Sequence, residues 1–177
     1  MEGLIIRRPK ELEEEYINEL FELVIKDTFK KNNIEHLTSE IDEEIIDKRR
    51  MLREDFSSCG EDRFFLVAEY NEMIIGTIAI GISNYLISEI TNGKFDKVVE
   101  LGTLYVHPDF HGMGIASLMI DEMIIEMKNR AIKEFCLDSG YKTAQKIWMF
   151  KFGKPEYHMV DYWDKGSDHM IWKVRIN

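Results

Sequence analysis

Residues 100–118 read ELGTLYVHPDFHGMGIASL. An apolar run meets Pro108, then two glycines, Gly112 and Gly114, and then a second apolar run with helical spacing. Small residues let a backbone come close to a ligand. The first N–H groups of a helix have no intrahelical acceptor, and the helix dipole adds positive potential there. A strand–turn–helix of this kind suits an anion such as a diphosphate. No Gly-Lys-Ser/Thr follows, so this is not a Walker loop, and the third glycine of the GxGxxG dinucleotide fingerprint is missing. Taken alone, the pattern fits either an anion site or a tight strand–helix turn. His107 and His111 are four apart, but Pro108 intervenes and neither a HExxH pattern nor a third ligand accompanies them, so no metal site is expected. Cys59 and Cys136 have neither metal-type nor redox-type spacing.

The elements that must hold this segment follow from periodicity and turn chemistry. A short strand is expected over residues 4–8, stopped by Pro9. Residues 11–31 have helical spacing, with Leu12, Tyr16, Leu20, Leu23, Val24 and Phe29 as the apolar stripe. Glu11, Glu13, Glu14 and Glu15 crowd the first turn, where the dipole favours negative charge. A second helix starts after Ser39, with Ile41, Ile45, Leu52 and Phe56 facing inward. Arg63–Tyr70 and Met73–Ile82 read as strands joined by Asn71-Glu72. Residues 83–97 show no clear period and read as a loop or small excursion. Residues 98–106 form a strand ended by Pro108, and 112–130 a helix with Ile115, Leu118, Met119, Met123 and Met127 buried. A short strand over 134–137 and a helix over 143–152 follow, the helix closed by Gly153. Strands over 157–163 and 169–176 are joined through Asp164-Lys165-Gly166-Ser167. This order predicts a mixed sheet with helices on both faces.

Leu104-Tyr105-Val106-x-Pro108-x-x-His111-Gly112-x-Gly114-Ile115-Ala116-x-x-Leu118 resembles the central motif of the GNAT superfamily of acyl-CoA-dependent N-acetyltransferases. That pattern is a strand ending in a Leu-Tyr-Val-x-Pro type run, then Gln/Arg-x-x-Gly-x-Gly/Ala. Gly114 and Ala116 match it, and His111 stands in place of Gln or Arg. The resemblance implies a single α/β domain over 1–177, with a mostly antiparallel mixed sheet and a splayed central strand pair. The strand ending at Val106 and the strand over 134–137 are the pair expected to part. It implies acetyl-CoA as co-substrate, with the diphosphate held by backbone N–H groups of His111, Gly112, Met113, Gly114, Ile115 and Ala116, next to Ser117. Leu104, Tyr105 and Val106 would run beside the pantetheine arm, offering main-chain groups like an added strand.

An amine acceptor with a pKa of about 10 must lose a proton before it attacks a thioester, and a carboxylate can take it directly or through one water. Glu100 lies where several members of the superfamily carry a catalytic Glu, and is the expected base. The N–H of Val106 is the expected oxyanion donor. The late helix departs from the pattern: Trp148 stands four residues after Ala144, where members carry an acid tyrosine, and Tyr141 stands where many carry asparagine. The general acid is therefore unassigned, with Tyr157 as one candidate. His158 and His169 read as ordinary strand residues.

The chain has 177 residues and a net charge of −10. Residues 1–62 carry 18 acidic against 10 basic side chains, so most of the acidity lies in the first third. Such a field disfavours nucleic acid and suits a cationic acceptor or simply a solvated helix surface. No apolar run reaches membrane-spanning length and no secretory leader stands at the start, so a cytoplasmic protein with reduced thiols is expected. The expected acceptor is an amine, either on a small molecule or on a protein. A homodimer through the late strands is left open. A second function class, an acyl-CoA-binding module without turnover, would suit Trp148 and His111.

Overall fold

The computed structural model describes residues 3–176 of the chain. In chain order the elements are β1 (Ile5–Arg7), α1 (Glu14–Lys31), α2 (Thr38–Ser57), β2 (Arg63–Tyr70), β3 (Met73–Ile82), α3 (Tyr85–Thr91) and β4 (Val99–Val106). They continue with α4 (Ile115–Asn129), β5 (Glu134–Ser139), α5 (Lys142–Phe152), β6 (Tyr157–Asp164) and β7 (Ser167–Arg175). The strands form one mixed, mostly antiparallel sheet of order β1-β2-β3-β4-β5-β7-β6. Its β4–β5 pair is parallel, with Val99 opposite Phe135 and Glu100 opposite Cys136. β4 continues to Val106 and β5 to Ser139 beyond those paired positions. The chain divides into two compact units, Met1–Ile80 with Thr103–Glu126 and Gly81–Gly102 with Met127–Asn177.

In the first unit, α1 and α2 pack together and α2 packs on β2. β2 and β3 are joined by Asn71 and Glu72, both with positive φ (49° and 65°). That is the type I′ geometry whose twist matches the flanking strands. The buried stripe of α1 is Ile17, Leu20, Phe21, Val24, Ile25 and Phe29, whereas Leu12 is 83% exposed and Tyr16 and Leu23 also face outward. Leu20, Val24 and Phe29 are thus buried as expected, while Ile17, Phe21 and Ile25 stand in for Leu12, Tyr16 and Leu23. Two apolar stripes run along this helix, and only the tertiary partner chooses between them. Leu12 moreover sits in a separate 3-10 turn over Glu11–Glu13, outside the α-helix. On α2, Ile41, Ile45 and Leu52 are buried as expected, and Phe56 is half-buried beside a buried carboxylate, Asp55.

Asp55 joins three parts of this unit. Its Oδ1 accepts from Arg8 Nη1 at 2.6 Å and from the Phe65 backbone N at 3.0 Å, and its Oδ2 accepts from Arg8 Nη2 at 2.9 Å. The fork of Arg8 fits the carboxylate in the bidentate manner that gives strong charged hydrogen bonds. Arg8 also lies over the Phe64 ring, 4.3 Å from its centroid. Other acidic side chains of α1 and α2 are laced into ion pairs: Glu22 with Lys26 and Arg49, Asp27 with Lys31, Glu54 with Arg50 and Arg63, and Glu14 with Arg53.

In the second unit, residues 85–91 form a helix within the stretch expected to be a loop or small excursion. Asn84 caps it, its side chain accepting from the Ile87 N–H at 2.9 Å, and Asn92 ends it in the left-handed region. A helix of seven residues spans two turns, too few for a period to show. Ile87, Phe95, Val98, Cys136 and Ile171 form a buried cluster there, with Tyr157 packed against it. Two further boundaries shift. α4 starts at Ile115 rather than at residue 112, because Gly112 and Gly114 have positive φ (77° and 79°) and cannot be helical; Leu118 on it is exposed. β5 runs two residues beyond the expected strand, to Ser139. No helix among the described residues is long and apolar enough to cross a membrane.

Removing one partner of a buried ion pair costs about 3–5 kcal/mol because the other charge is left unsatisfied. Asp55→Ala is accordingly expected to lower unfolding free energy by about 3 kcal/mol in urea titration; a loss below about 0.5 kcal/mol would show that Asp55 is not structural.

Candidate active site

The glycine turn of the first unit is built in three steps. At the end of β4, the His107 N–H donates to Ile75 O at 2.8 Å, holding the strand end to β3. Pro108–Phe110 then makes a 3-10 turn, with the Asp109 N–H donating to His107 Nδ1 and the Phe110 N–H to His107 O at 2.9 Å. The Phe110 ring seats this turn edge-on against Tyr70, at 6.0 Å between centroids. The chain next passes through the left-handed region twice, at Gly112 and Gly114, where side chains are strained. A Cβ added at either glycine meets nothing within 4 Å, so both face open space.

The consequence is a row of spare donors. The first α4 backbone bond reaching back to the turn is from the Leu118 N–H to Gly114 O at 3.1 Å. Among the described residues, the N–H groups of Gly112, Met113, Gly114, Ile115, Ala116 and Ser117 have no backbone partner. His111 stands apart from the row, since its N–H already donates to Pro108 O at 3.2 Å. Its ring turns back toward β4: Nε2 lies 2.8 Å from Val106 O, which can only accept, so Nε2 carries the proton. Bare amides at a helix start, with room beside them, fit a diphosphate. Leu104 and Tyr105 are half-buried on the same strand, and the Tyr105 hydroxyl donates to Glu44 of α2 at 2.7 Å. Within β4, Thr103 has a φ of +50°, unusual for a β-branched residue, so the strand is kinked one residue before Leu104.

Glu100 lies in the second unit. Its Oε2 accepts from the Asn84 backbone N at 2.6 Å and its Oε1 from Asn84 Nδ2 at 3.2 Å. Because Asn84 Oδ1 takes the Ile87 N–H, the amide can point only its NH2 group at Glu100. A Cβ on Gly102 would come within 3.1 Å of Glu100 Oε1, so the glycine leaves space beside the carboxylate. Asn84 Nδ2 also lies 3.4 Å from Asp138 Oδ2, and that oxygen is 3.0 Å from His169 Nε2. Asn84, Asp138 and His169 were not singled out as site residues. The one legible signal was Asn84 before an apolar pair, with Asn92-Gly93 after it, the cap signature of a short helix. Burial pushes the Cys136 thiol up to about 12, and the nearby carboxylates of Glu100 and Asp138 add to the shift. It is a core thiol, not a nucleophile.

The other candidates have packing roles. Trp148 is buried and stacked on Phe152 at 5.8 Å, with Phe152 edge-on to Phe135. Tyr157 lies edge-on to Phe95 at 5.7 Å, and His158 bonds Asp168 at 2.6 Å on the surface. Among the described residues no group of three or more His, Cys, Asp or Glu side chains is placed to hold a metal ion.

Comparison with known proteins follows the same lines. The family model described as Acetyltransferase (GNAT) family matches residues 17–153, most of the chain and all of the glycine turn. No curated protein matches the sequence. Among solved structures, the chain is similar to a putative acetyltransferase of the GNAT family from Desulfovibrio desulfuricans, with a TM-score of 0.73 and 12% identity over 98% of this chain and 99% of that one. It is similar also to the PaiA N-acetyltransferase of Thermoplasma acidophilum in complex with coenzyme A, with a TM-score of 0.69 and 20% identity over 97% and 99%. A third is a spermidine N-acetyltransferase chimera involving Vibrio cholerae, with a TM-score of 0.64 and 12% identity over 98% and 95%. At these identities the likeness is one of fold, and the family rests on the model match: the chain belongs to the acetyltransferase (GNAT) family, enzymes that take their acetyl group from acetyl-CoA.

Proposed function

We propose that residues 1–177 act as one N-acetyltransferase domain that moves acetyl from acetyl-CoA to a primary amine, with Glu100 as the base and the 112–117 turn as the diphosphate site. The observation that carries the reading is the row of backbone N–H groups without backbone partners at the start of α4, behind two glycines that face open space. Leu104, Tyr105 and Val106 supply the strand edge for the pantetheine arm. Ser117 closes the row, and His111 braces the Val106 carbonyl rather than lending its own N–H.

Glu100 takes the proton from the ammonium form of the acceptor, directly or through one water. The freed amine then forms a C–N bond to the thioester carbon and the oxyanion is met by the Val106 N–H. As the oxyanion collapses, the C–S bond breaks to release thiolate and the remaining extra proton on nitrogen passes to solvent, leaving the neutral amide. A preorganised oxyanion donor is worth about 3 kcal/mol. No acid is assigned to the thiolate: Trp148 is core, and a thiolate leaves without one at a lower rate.

The favoured acceptor is a small cationic amine. The support is Glu100 and Asp138, two carboxylates sharing the Asn84 amide, rather than the acidic helices, several of whose charges are taken up in ion pairs. The second reading, a CoA-binding module without turnover, is favoured by one observation, the buried stacked Trp148 in place of an acid.

Thiol release from acetyl-CoA with spermidine, lysine and a peptide bearing a free N-terminal alanine separates the two. The enzyme releases thiol with at least one of these amines, whereas the binding module gives a thermal shift with CoA and no thiol. Glu100→Gln is expected to lower turnover about 100-fold at neutral pH with CoA affinity unchanged; unaltered turnover across pH 6–9 removes Glu100 as base. Gly114→Ala places a side chain at positive φ, which costs about 1–2 kcal/mol of stability, and blocks the approach to the amides. It is expected to weaken CoA binding at least tenfold by calorimetry, and equal affinity counts against the diphosphate assignment.

A further inference from the structure

Beyond the base itself, the second unit contains a hydrogen-bond relay whose donors and acceptors admit one assignment. Trp163 Nε1 lies 3.2 Å from His169 Nδ1. An indole N–H can only donate, so Nδ1 is the acceptor and the imidazole proton is on Nε2. That proton points at Asp138 Oδ2, 3.0 Å away. The same oxygen faces Asn84 Nδ2, whose direction is set by Ile87, and Nδ2 in turn faces Glu100 Oε1. A proton on His169 Nδ1 would confront the indole N–H, donor against donor.

The surroundings are fitted to this chain of contacts. His169 is 3% exposed, although Trp163 is 58% exposed. The register of β6 against β7 shifts between Met159 and Asp164, and Asp161 in that stretch has a φ of +53°. Across the shift both Tyr162 and Trp163 bring their rings against His169, each with centroids 5.7 Å away. Gly140 completes the arrangement: a Cβ there would lie 2.8 Å from Trp163 Nε1 and 3.4 Å from His169 Nδ1. Only a residue without a side chain lets the indole N–H reach the ring.

We propose that His169 is a positioning residue of the transfer reaction: held with its proton on Nε2 by Trp163, it fixes Asp138, which shares the Asn84 amide with Glu100 and so fixes the direction of the Glu100 carboxylate. The proposal rests on the reading of Glu100 as base. His169 touches no substrate and moves no proton in this role; it acts through two other side chains.

The full chain is assayed with acetyl-CoA and the fastest amine of the panel, in three variants. His169→Phe keeps the ring volume and loses both bonds. His169→Gln keeps an N–H for Asp138 and a carbonyl for Trp163. Gly140→Ala displaces the indole while leaving His169 in place. Expected are an about tenfold fall in kcat for His169→Phe with KM for acetyl-CoA unchanged, recovery to within about threefold in His169→Gln, and no further loss when His169→Phe is added to Glu100→Gln. Wild-type kcat in a folded His169→Phe, or losses that multiply in the double variant, overturns the proposal. Wild-type turnover in Glu100→Gln instead overturns the base. Independently of turnover, imidazole nitrogen NMR is expected to show His169 protonated on Nε2 in the wild type and a growing Nδ1-protonated form in Gly140→Ala. A wild-type ring protonated on Nδ1 overturns the relay whatever the activity.

Discussion

A backbone that enters the left-handed region at Gly112 and again at Gly114 cannot make helical bonds there, and the proposed diphosphate site depends on that constraint. The helix begins only at Ile115, and the N–H groups of its first turn have no intrahelical acceptor. The start of α4 is therefore left with donors that nothing in the surrounding backbone accepts. Leaving polar groups without partners is costly unless water or a ligand reaches them. The open space beside both glycines shows that something can. The rest of the first unit fixes where these donors lie. The His107 N–H ties the strand end to β3, the 3-10 turn at Pro108 sets the approach, and buried Ile115 and Met119 seat the helix.

The second unit handles a different difficulty, that of holding carboxylates on a half-buried strand and its neighbours. Glu100 stands opposite Cys136 in the β4–β5 pair, and Asp138 lies two residues further along β5. Both oxygens of Glu100 and Oδ2 of Asp138 are given donors. Asn84 supplies a backbone N–H and a side-chain NH2, and its own orientation is spent on capping α3. The short helix is thus more than a connection. Its cap residue is the piece that aims the proposed base, so its folding and the chemistry are joined at one amide.

What the sequence made legible was decided by how local the cause is. The strand, the proline stop and the apolar helix around the glycine turn could be read because their causes are local, whereas the two left-handed glycines that delay α4 to Ile115 were not read. The β2–β3 hairpin could be read for the same reason, since Asn71-Glu72 sets its own geometry. The facing of α1 could not, because the helix has apolar residues on two sides and burial of Ile17 and Phe21 rather than Leu12 and Tyr16 is decided by α2 and the sheet. Helix α3 escaped notice because two turns leave no period, although its caps were visible. The relay from His169 to Asn84 joins residues 31 and 54 apart in sequence, and no pattern rule spans such gaps. The motif pointed to the glycine turn and to Glu100; the bonds from Asn84 that hold the Glu100 carboxylate are visible only in the packed structure.

The central claim is that the bare amides at the start of α4 receive the diphosphate of the acetyl donor. Coenzyme A titrated into 15N-labelled protein tests it directly, through the backbone amide spectrum. The expected result is that the largest shifts fall on Gly112, Met113, Gly114, Ile115, Ala116 and Ser117, saturating together, while the His111 amide, already bonded to Pro108, moves less. Shifts that leave this row unmoved at saturating coenzyme A, or that gather on other elements, would contradict it.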